Sequence, residues 1–385
     1  MLFRSRYNGN TGSNTMIDCK LCPEGKFSNQ KGATSSGSCV AGAREWKEES
    51  EAHRGQANFG LNPSISGNGK TLAVFNGNGD VNIFTRALSA WTWEHTVSKY
   101  SYTNRAVISH DGNRIFIVSG SFVRLHLHRV GTGWEELAAP AIPQGLVTLD
   151  VISGDFDVNE DGTTVVMSKP EQGNPSYGFV VVQRWTPNKW VMKGQIILSN
   201  MTNSELNPQY FGTSASIDFA GTRIAVGNPK DNFNAWDTEQ LGSVRLYDWD
   251  EKKNMWVQRD IIWGIPEEVK QLGTSVQLSW DGSIVSSLGF KAVTGVQHLK
   301  VFRVFPYMNS FGSMGGPVKC LSSLCYMSKS GTRVFVWNGL KVENSELYVW
   351  GSESWETGTM PPVTINDRKL DRKSTRLNSS HQIIS

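Results

Sequence analysis

The chain has 385 residues, with 38 Lys and Arg against 35 Asp and Glu, so its formal net charge is +3. The segment from Asp367 onward carries this whole excess, which leaves the rest of the chain neutral and argues against a nucleic-acid-binding surface. The 38 Gly and 14 Trp predict many tight turns between aromatic-rich strands, and no apolar run approaches the roughly 20 residues that span a bilayer.

The N-terminal part predicts two short regions ahead of the main domain. Residues 1–18 are polar, rich in Gly, Asn and Ser, and predicted to be disordered. They contain no apolar stretch typical of a signal peptide. Three cysteines then fall within residues 19–42, at Cys19, Cys22 and Cys39. A zinc site would need a fourth ligand that the sequence does not offer, so a small disulfide-rich module is the favoured interpretation.

The spacing Cys19-Lys-Leu-Cys22-Pro-Glu-Gly-Lys-Phe-Ser resembles the ephrin-receptor-like Cys-rich modules of secreted proteins, although Gly42 stands where a further Cys is expected. This resemblance implies an extracellular or cell-surface protein. We predict a Cys22–Cys39 disulfide, with Cys19 bonded to a cysteine outside this sequence. Near the other end of the chain, Cys320 and Cys325 either form a second bridge or remain two buried thiols.

A repeated turn organises residues 43–366. Six Gly-containing turns are spaced 43 to 61 residues apart, and each is followed by a run of β-branched and aromatic residues and usually by a Trp. Four strands fit each interval, and no helix is expected. The period predicts an all-β propeller of four-stranded blades, and the rival is a β-sandwich. The turns are Asn68-Gly69, Asp111-Gly112, Asp161-Gly162, Ala220-Gly221, Asp281-Gly282 and Ser330-Gly331.

A Trp marks the fourth strand of five repeats, and we expect it to fill space between blades rather than to bind sugars. The fifth repeat has no Trp at this place. Trp46, upstream of the first repeat, either opens an outer strand that completes the last blade or lies in a surface linker. The five marker residues are Trp93, Trp134, Trp190, Trp256 and Trp355.

The fourth repeat contains Tyr210-Phe-Gly and Gly227-Asn-Pro, and it resembles the FG-GAP repeat of integrin α-subunit propellers. Phe59-Gly60 and Leu272-Gly273 occupy the matching positions of two other repeats. The resemblance implies a seven-bladed ring, of which six blades are readable here. Residues 371–381 resemble a translated sequencing adaptor, so residues 367–385 are predicted to be a disordered, artefactual tail on a fragment of a longer protein.

One short segment has the front half of a calcium loop. Asp157, Asn159 and Asp161 supply oxygen atoms at positions 1, 3 and 5, before Gly162. The later ligand positions hold Val165 and Ser168, so a plain Asp-Gly turn is the favoured interpretation and calcium the minor one. No other cofactor is expected.

The longest predicted loops, 169–177 and 228–242, are the candidate binding sites. The second contains Phe233 and Trp236 with Asp231 and Asp237 beside them, and either binds a partner or packs on its own aromatic residues. Asn200 begins a glycosylation sequon. His126 and His128 share one strand face, and we expect that face to point outward.

No nucleophile elbow, zinc-protease motif or phosphate loop is present, so we expect a non-catalytic, extracellular or cell-surface module that binds a protein or a glycan. A hydrolase or lyase with its active site in the central channel is the alternative, and three or more ionisable side chains there would favour it. A spacer without a ligand is a third possibility. The parent protein could carry a membrane anchor. Nothing in the sequence indicates nucleic-acid binding or a homo-oligomer.

Overall fold

A computed structural model of the chain describes residues 61–76, 79–87, 90–97, 103–119, 122–129, 132–140, 155–170, 178–199, 210–232, 240–291, 294–305, 310–320, 325–336, 346–351 and 354–358, and the backbone of four short strands before them. All regular elements in these ranges are strands. They include no helix long and apolar enough to cross a membrane.

The chain divides into a small unit, Met1–Glu48 with Pro361–Ile365, and a large unit that holds the repeats. In the small unit β1 pairs with β2 and β3 pairs with β4, both antiparallel. These strands are β1 (Arg6–Asn8), β2 (Cys19–Leu21), β3 (Lys26–Phe27) and β4 (Val40–Ala41).

The large unit contains six antiparallel sheets, one for each predicted repeat, in which strands pair in chain order. Blade one comprises β5 (Leu61–Ile65), β6 (Thr71–Phe75), β7 (Val81–Ala87) and β8 (Ala90–Val97); blade two comprises β9 (Thr103–Ile108), β10 (Arg114–Ser119), β11 (Phe122–Arg129) and β12 (Gly133–Leu137). Blade three comprises β13 (Phe156–Val158), β14 (Thr164–Lys169), β15 (Phe179–Thr186) and β16 (Lys189–Met192), with β17 (Ile197–Leu198) added beside β15.

Blade four comprises β18 (Ser214–Ile217), β19 (Arg223–Asn228), β20 (Ser243–Asp250) and β21 (Met255–Trp263). Blade five comprises β22 (Lys270–Leu278), β23 (Ile284–Phe290), β24 (Gln297–Phe305) and β25 (Ser310–Ser313), with β26 (Val318–Cys320) beside β24. Blade six comprises β27 (Cys325–Met327), β28 (Arg333–Val336), β29 (Glu346–Trp350) and β30 (Trp355–Gly358).

The first strands of blades one to five contact one another in order, from β5 through β9, β13 and β18 to β22. The apolar core is divided accordingly into five clusters, each built from two consecutive blades. The second strands of blades two to five contribute to the clusters on both of their faces, which explains why their sequences are apolar without alternation. This inter-blade core identifies a propeller rather than a two-sheet sandwich.

The six Gly turns share one geometry, which the first residue of each turn sets. Its side-chain oxygen accepts a hydrogen bond from the backbone N–H five residues later, at 2.8 to 3.1 Å. The Gly three residues along has φ between 65° and 79°, which only Gly adopts at little cost. These anchor residues are Ser66, Ser109, Asn159, Asp218, Ser279 and Ser328.

Backbone hydrogen bonds join these turns in series from blade to blade. Asn68 donates its N–H to the His110 carbonyl at 2.9 Å, and His110 donates in turn to Glu160 at 2.7 Å. The series continues through Phe219 and Trp280 and ends on the carbonyl of Lys329. We call this end of the propeller the turn side and the opposite end, which carries the other loops, the loop side. The turn side is therefore a hydrogen-bonded belt across all six blades.

The predicted Trp position is correct in four blades and needs two corrections. Trp256 is 2% exposed and packs between blades three and four, as expected. Trp93 is instead 58% exposed, because the hairpin pairs Trp91 rather than Trp93 with Arg86, as it pairs Trp256 with Trp249 in blade four. In the fifth blade Phe311 takes the place of the missing Trp and packs on Phe302 with ring centroids 5.7 Å apart.

Candidate binding face and inner pocket

The first strands of blades two to six line a cavity of about 80 Å³. Four charged side chains reach it: Arg105, Asp155, Asp157 and Lys329. Gln277 from blade five also lines it. The site therefore has the number of ionisable groups that would favour an active site, but it is smaller than the roughly 300 to 1,000 Å³ of most small-molecule pockets.

The charges of this pocket are paired with one another. Arg105 forms an ion pair with Asp155 and donates to the Phe156 carbonyl at 2.8 Å. Lys329 Nζ lies 4.0 Å from Asp157 Oδ2, and so connects blade six with blade three. Paired charges of opposite sign leave the pocket without net charge, so its electrostatics do not favour an ionic substrate.

Polar side chains in the first strands also hold neighbouring blades together. Asp157 Oδ2 accepts from the Ile217 N–H at 3.1 Å and from the Ser216 hydroxyl at 2.8 Å. Ser216 Oγ in turn accepts from the Leu278 N–H at 3.1 Å, and Gln277 accepts from the Met327 N–H at 2.9 Å. The first strands of blades four, five and six thus each have an N–H that is hydrogen-bonded to the blade before it, as buried backbone requires.

The three residues of the possible calcium loop have separate partners. Asp157 bonds across to blade four as described above. Asn159 Oδ1 accepts from the Thr164 N–H at 2.8 Å, and Asp161 Oδ1 accepts from the N–H and hydroxyl of Thr163. Their oxygen atoms do not converge, and no group of three or more acidic, Cys or His residues suited to a metal ion occurs in the described ranges.

An aromatic cluster covers the turn side. The His110 ring lies edge-on to Trp280 at 4.6 Å and to Phe219 at 5.5 Å between ring centroids. The three rings come from blades two, five and four, so they bring together the turns of blades that are not all neighbours. A separate open depression of about 450 Å³ lies at the β20–β21 turn around Asp250. It is a shallow surface feature rather than an enclosed site.

On the loop side, Asp231 is not a surface ligand residue as the sequence suggested. It is 2% exposed, and its Oδ2 accepts from Arg245 at 2.8 Å and from the Ser243 hydroxyl at 2.6 Å. Arg245 is also buried. Asp231 therefore anchors the base of the 232–240 connection. Beside it, Lys230 Nζ lies 3.8 Å from the centroid of the Tyr210 ring.

Two histidines are also placed differently from the expectation. His126 is buried, with its ring centroid 6.4 Å from that of His95 in blade one, and His128 Nε2 lies 3.9 Å from Glu94. The pair does share a strand face, but this face points toward blade one rather than outward. Burial lowers the pKa of His126 to about 4.

A disulfide joins Cys320 of blade five to Cys325 of blade six. Both cysteines are buried within the core cluster that these blades share. Of the two possibilities open from the sequence, the bridge is the one present.

Several sequence-based predictions lie outside the described residues. They are the candidate ligand residues Phe233, Trp236 and Asp237, the Cys22–Cys39 bridge, the sequon at Asn200, and the strand at Trp46.

No family model matches the chain, and no curated protein matches it either. Solved structures do. A functionally unknown protein from Desulfotomaculum acetoxidans is 12% identical, with 80% of this chain and 86% of that one covered and a TM-score of 0.52. The periplasmic gluconolactonase of Pseudomonas aeruginosa is 14% identical, covers 81% and 86%, and has a TM-score of 0.50.

The Swd1 β-propeller domain of Myceliophteria thermophila also matches, at 12% identity and a TM-score of 0.48, with 79% and 87% covered. Identities this low concern the fold alone. Six antiparallel sheets of four or five strands, together with the two neighbours whose TM-scores are 0.52 and 0.50, lead to one conclusion: the chain is an all-β protein with a β-propeller fold.

Proposed function

We propose that this propeller is a non-catalytic extracellular module that binds a protein or a glycan through its loop side. The observation that carries the proposal is the anchored base of the 232–240 connection in blade four, where the Asp231–Arg245 ion pair is buried. In blade one the equivalent connection between the second and third strands is short, and Asn76 and Asp80 are hydrogen-bonded to each other across it. A long loop on a fixed base is the usual design of a binding loop.

The blade-four loop also has a suitable composition. Its sequence contains Phe233 and Trp236 among polar residues, and exposed aromatic residues are the side chains that dominate recognition surfaces. Recognition of this kind needs no pocket, in keeping with the small size of the inner cavity.

We further propose that the repeats are of the FG-GAP type and that the protein is secreted or displayed at the cell surface. Two Gly residues at the FG positions support the first point. Gly212 and Gly273 have φ of 83° and 102° and lie against the backbone of the preceding blade; a side chain would collide there at Gly273 and would be tightly packed at Gly212, 3.0 Å from the Phe179 carbonyl oxygen. The Cys320–Cys325 disulfide supports the second point, because such bonds persist in oxidising compartments.

The test is an array of glycans and extracellular proteins probed with the full chain, with and without calcium. Binding should be specific and should be lost in the variant Phe233→Ala/Trp236→Ala. The control is Trp93→Ala/Phe305→Ala, which removes two exposed aromatic residues outside this loop. Equal loss in both variants, or no binding in either condition, would contradict the proposal, and complete silence would favour a spacer.

The inner pocket favours a second candidate, a hydrolase or lyase, since four charged side chains line it. Because a gluconolactonase is among the structural neighbours, lactones are the first substrates to test. Turnover that is abolished in Lys329→Gln but retained in Lys252→Gln, an exposed lysine elsewhere, would establish this candidate in place of the first.

A further inference from the structure

The residue that follows each anchor residue lies at the turn-side mouth of the central channel. The first strands of blades two to six line the inner pocket and run directly into these turns, and the backbones of five of these residues form the hydrogen-bonded belt. Blade one contributes a glycine and therefore no side chain. The six residues are Gly67, His110, Glu160, Phe219, Trp280 and Lys329.

Three aromatic rings meet across this mouth. The ring centroid of His110, in blade two, lies 4.6 Å from that of Trp280 in blade five and 5.5 Å from that of Phe219 in blade four. Phe219 and Trp280 also contact each other, at 5.5 Å. Two blades separate His110 from Trp280 along the belt, so these rings reach each other over the channel rather than along its wall. We call the three rings the plug.

Gly67 provides the space in which the plug is seated. A Cβ atom on Gly67 would overlap Nδ1 of His110 and lie 2.8 Å from its Cγ and Cε1 atoms, so the imidazole ring rests directly on this glycine. The backbone of Gly67 is not in the left-handed region, and its conformation would accept other residues. The glycine is therefore required by the volume of the ring and not by the turn.

This seat offers the imidazole no hydrogen bond. Nδ1 of His110 is buried and has no partner among the residues that the structure describes. A neutral imidazole can keep its proton on Nε2, but an imidazolium carries an N–H on both nitrogens, and the seated ring would bury one without an acceptor. Burial accordingly lowers the pKa of His110, against smaller opposing effects from the carboxylates of Glu160 and Asp111.

The charges of the surrounding turns balance one another. Counted from each anchor residue to the residue five positions later, the six turns hold five acids and five lysines or arginines, so their summed charge favours neither form of the ring. The acids are Asp111, Glu160, Asp161, Asp218 and Asp281, and the bases are Lys70, Arg114, Arg223, Lys329 and Arg333. The preference for neutral His110 therefore comes from its seat.

We propose that the plug is a gate opened by a proton: neutral His110 seated on Gly67 closes the turn-side mouth, and protonated His110 leaves the seat and gives the inner pocket a second entrance. The pocket lies directly behind the plug, because Lys329 stands at the mouth and reaches Asp157 inside the pocket. The closed state has the lower His110 pKa, so it is favoured at high pH and weakens as pH falls below the ordinary value of 6.5. The gate is independent of the loop-side binding proposed above.

Hydroxyl-radical footprinting of the full chain, read by mass spectrometry at pH 8 and pH 5, measures water access to single side chains. Phe219 is a half-buried member of the plug, and Tyr326 lines the pocket behind it. We expect oxidation of both to rise at least about threefold at pH 5, because protonation shifts the population toward the open state. In His110→Leu, which keeps an apolar side chain on Gly67 and cannot take up a proton, both should remain low at either pH.

Gly67→Ala tests the seat without a change of pH. The added methyl displaces the imidazole, so Phe219 and Tyr326 should be oxidised at pH 8 as strongly as in the unaltered chain at pH 5. The control is Gly316→Ala, where an added Cβ meets nothing within 4 Å. In a His110→Ala background, Gly67→Ala should have no further effect, because no ring remains to be displaced. Melting temperatures at pH 8 verify that each variant is folded.

Four results would overturn the inference. Oxidation of Phe219 that does not change with pH would remove the proton as the trigger, and a rise that persists in His110→Leu would assign it to another group. A rise at Phe219 without one at Tyr326 would reduce the gate to a local ring motion with no second entrance. A His110 pKa at or above 6.5, measured by hydrogen exchange at its ring carbon, would show that the neighbouring rings hold the imidazolium in place.

Discussion

Blade four and blade six have the same four strands and the same turn, yet they are buried to different extents. In blade four, β19 is fully buried from Ile224 to Asn228 and core clusters cover both faces of the blade. In blade six, β28 alternates between buried and half-buried residues, and β29 is half-buried or exposed throughout. The described core covers blade six on one face, toward blade five.

We infer from this difference that a blade owes much of its stability to its neighbours. The two blades share one antiparallel strand order, although the strands of blade six are shorter. They differ also in buried apolar area, which supplies most of the stabilising free energy. Blade six has a covalent link instead, the disulfide to blade five. We therefore expect blade six to open at a lower free energy than blade four.

The largest expected effect comes from matched Trp variants. Trp256→Ala should lower the free energy of unfolding by about 4 kcal/mol, because it removes a side chain that is 2% exposed. Trp355→Ala, at the same position of blade six, should cost about 2 kcal/mol because Trp355 is half-buried. Both indoles donate to a carbonyl of the preceding blade, at 2.8 and 2.7 Å, so the hydrogen bond is matched. Urea titration measures the two values, and equal losses would contradict the comparison.

The disulfide variant tests how blade six is held. Cys320→Ala/Cys325→Ala should cost about 2 kcal/mol, the value expected for a short cross-linked loop. The loss should be local. Hydrogen exchange should accelerate in β28 and remain unchanged in β19. Uniform acceleration across both strands would mean that the six blades unfold as one unit.

A third test extends the comparison to blade two, whose two faces are both covered. Burial lowers the pKa of His126 from 6.5 to about 4, with a smaller opposing effect from Glu136. The unfolded chain therefore binds the proton more tightly. This contribution to stability is complete above pH 6.5 and declines as pH falls toward 4, by about 1 to 2 kcal/mol once partial solvent access is allowed for.

Thermal melting from pH 7 to pH 4 measures this decline. The decline in melting temperature should be smaller in His126→Leu, because leucine cannot take up the proton. It should persist in His95→Gln, which alters the neighbouring, half-buried ring in blade one. An unchanged slope in His126→Leu would assign acid sensitivity to other groups.

The smallest effect concerns the anchor residue of the turn. Asp218 Oδ1 accepts from the N–H groups of Thr222 and Arg223, whereas Ser328 Oγ accepts from one N–H, that of Arg333. Asp218→Ala should therefore be more destabilising than Ser328→Ala by about 1 kcal/mol. Chemical denaturation of the two variants measures the difference, and a larger loss in Ser328→Ala would reverse the ranking of the blades.

The sequence predicts best what is local. The turns, the count of six blades and the four strands of each could all be read in advance, because a Gly with positive φ and the strands beside it lie within about ten residues of one another. The Trp position shows a limit of such predictions. Trp91 and Trp93 both lie in β8, and the pairing of β8 with β7 shows that Trp91, opposite Arg86, takes the place of the marker residue.

The candidate site was less predictable because its contacts are long-range. In the sequence, Asp231 looks like an exposed acid of a loop. In the fold it is buried in an ion pair with Arg245, which lies on the next strand. Asp157 meets Ser216 and Ile217 from a neighbouring blade, almost sixty residues away in sequence.

The hydrogen-bonded belt of the turn side has a consequence for how such a chain can change in length. Each turn must offer one N–H and one carbonyl at a fixed place to join its neighbours. An insertion there would interrupt the series for the blades on both sides, whereas one at the opposite end alters a single connection. The repeats are therefore expected to differ in length through their loop-side connections. New recognition segments can be grafted at that end while the belt keeps the blades in register.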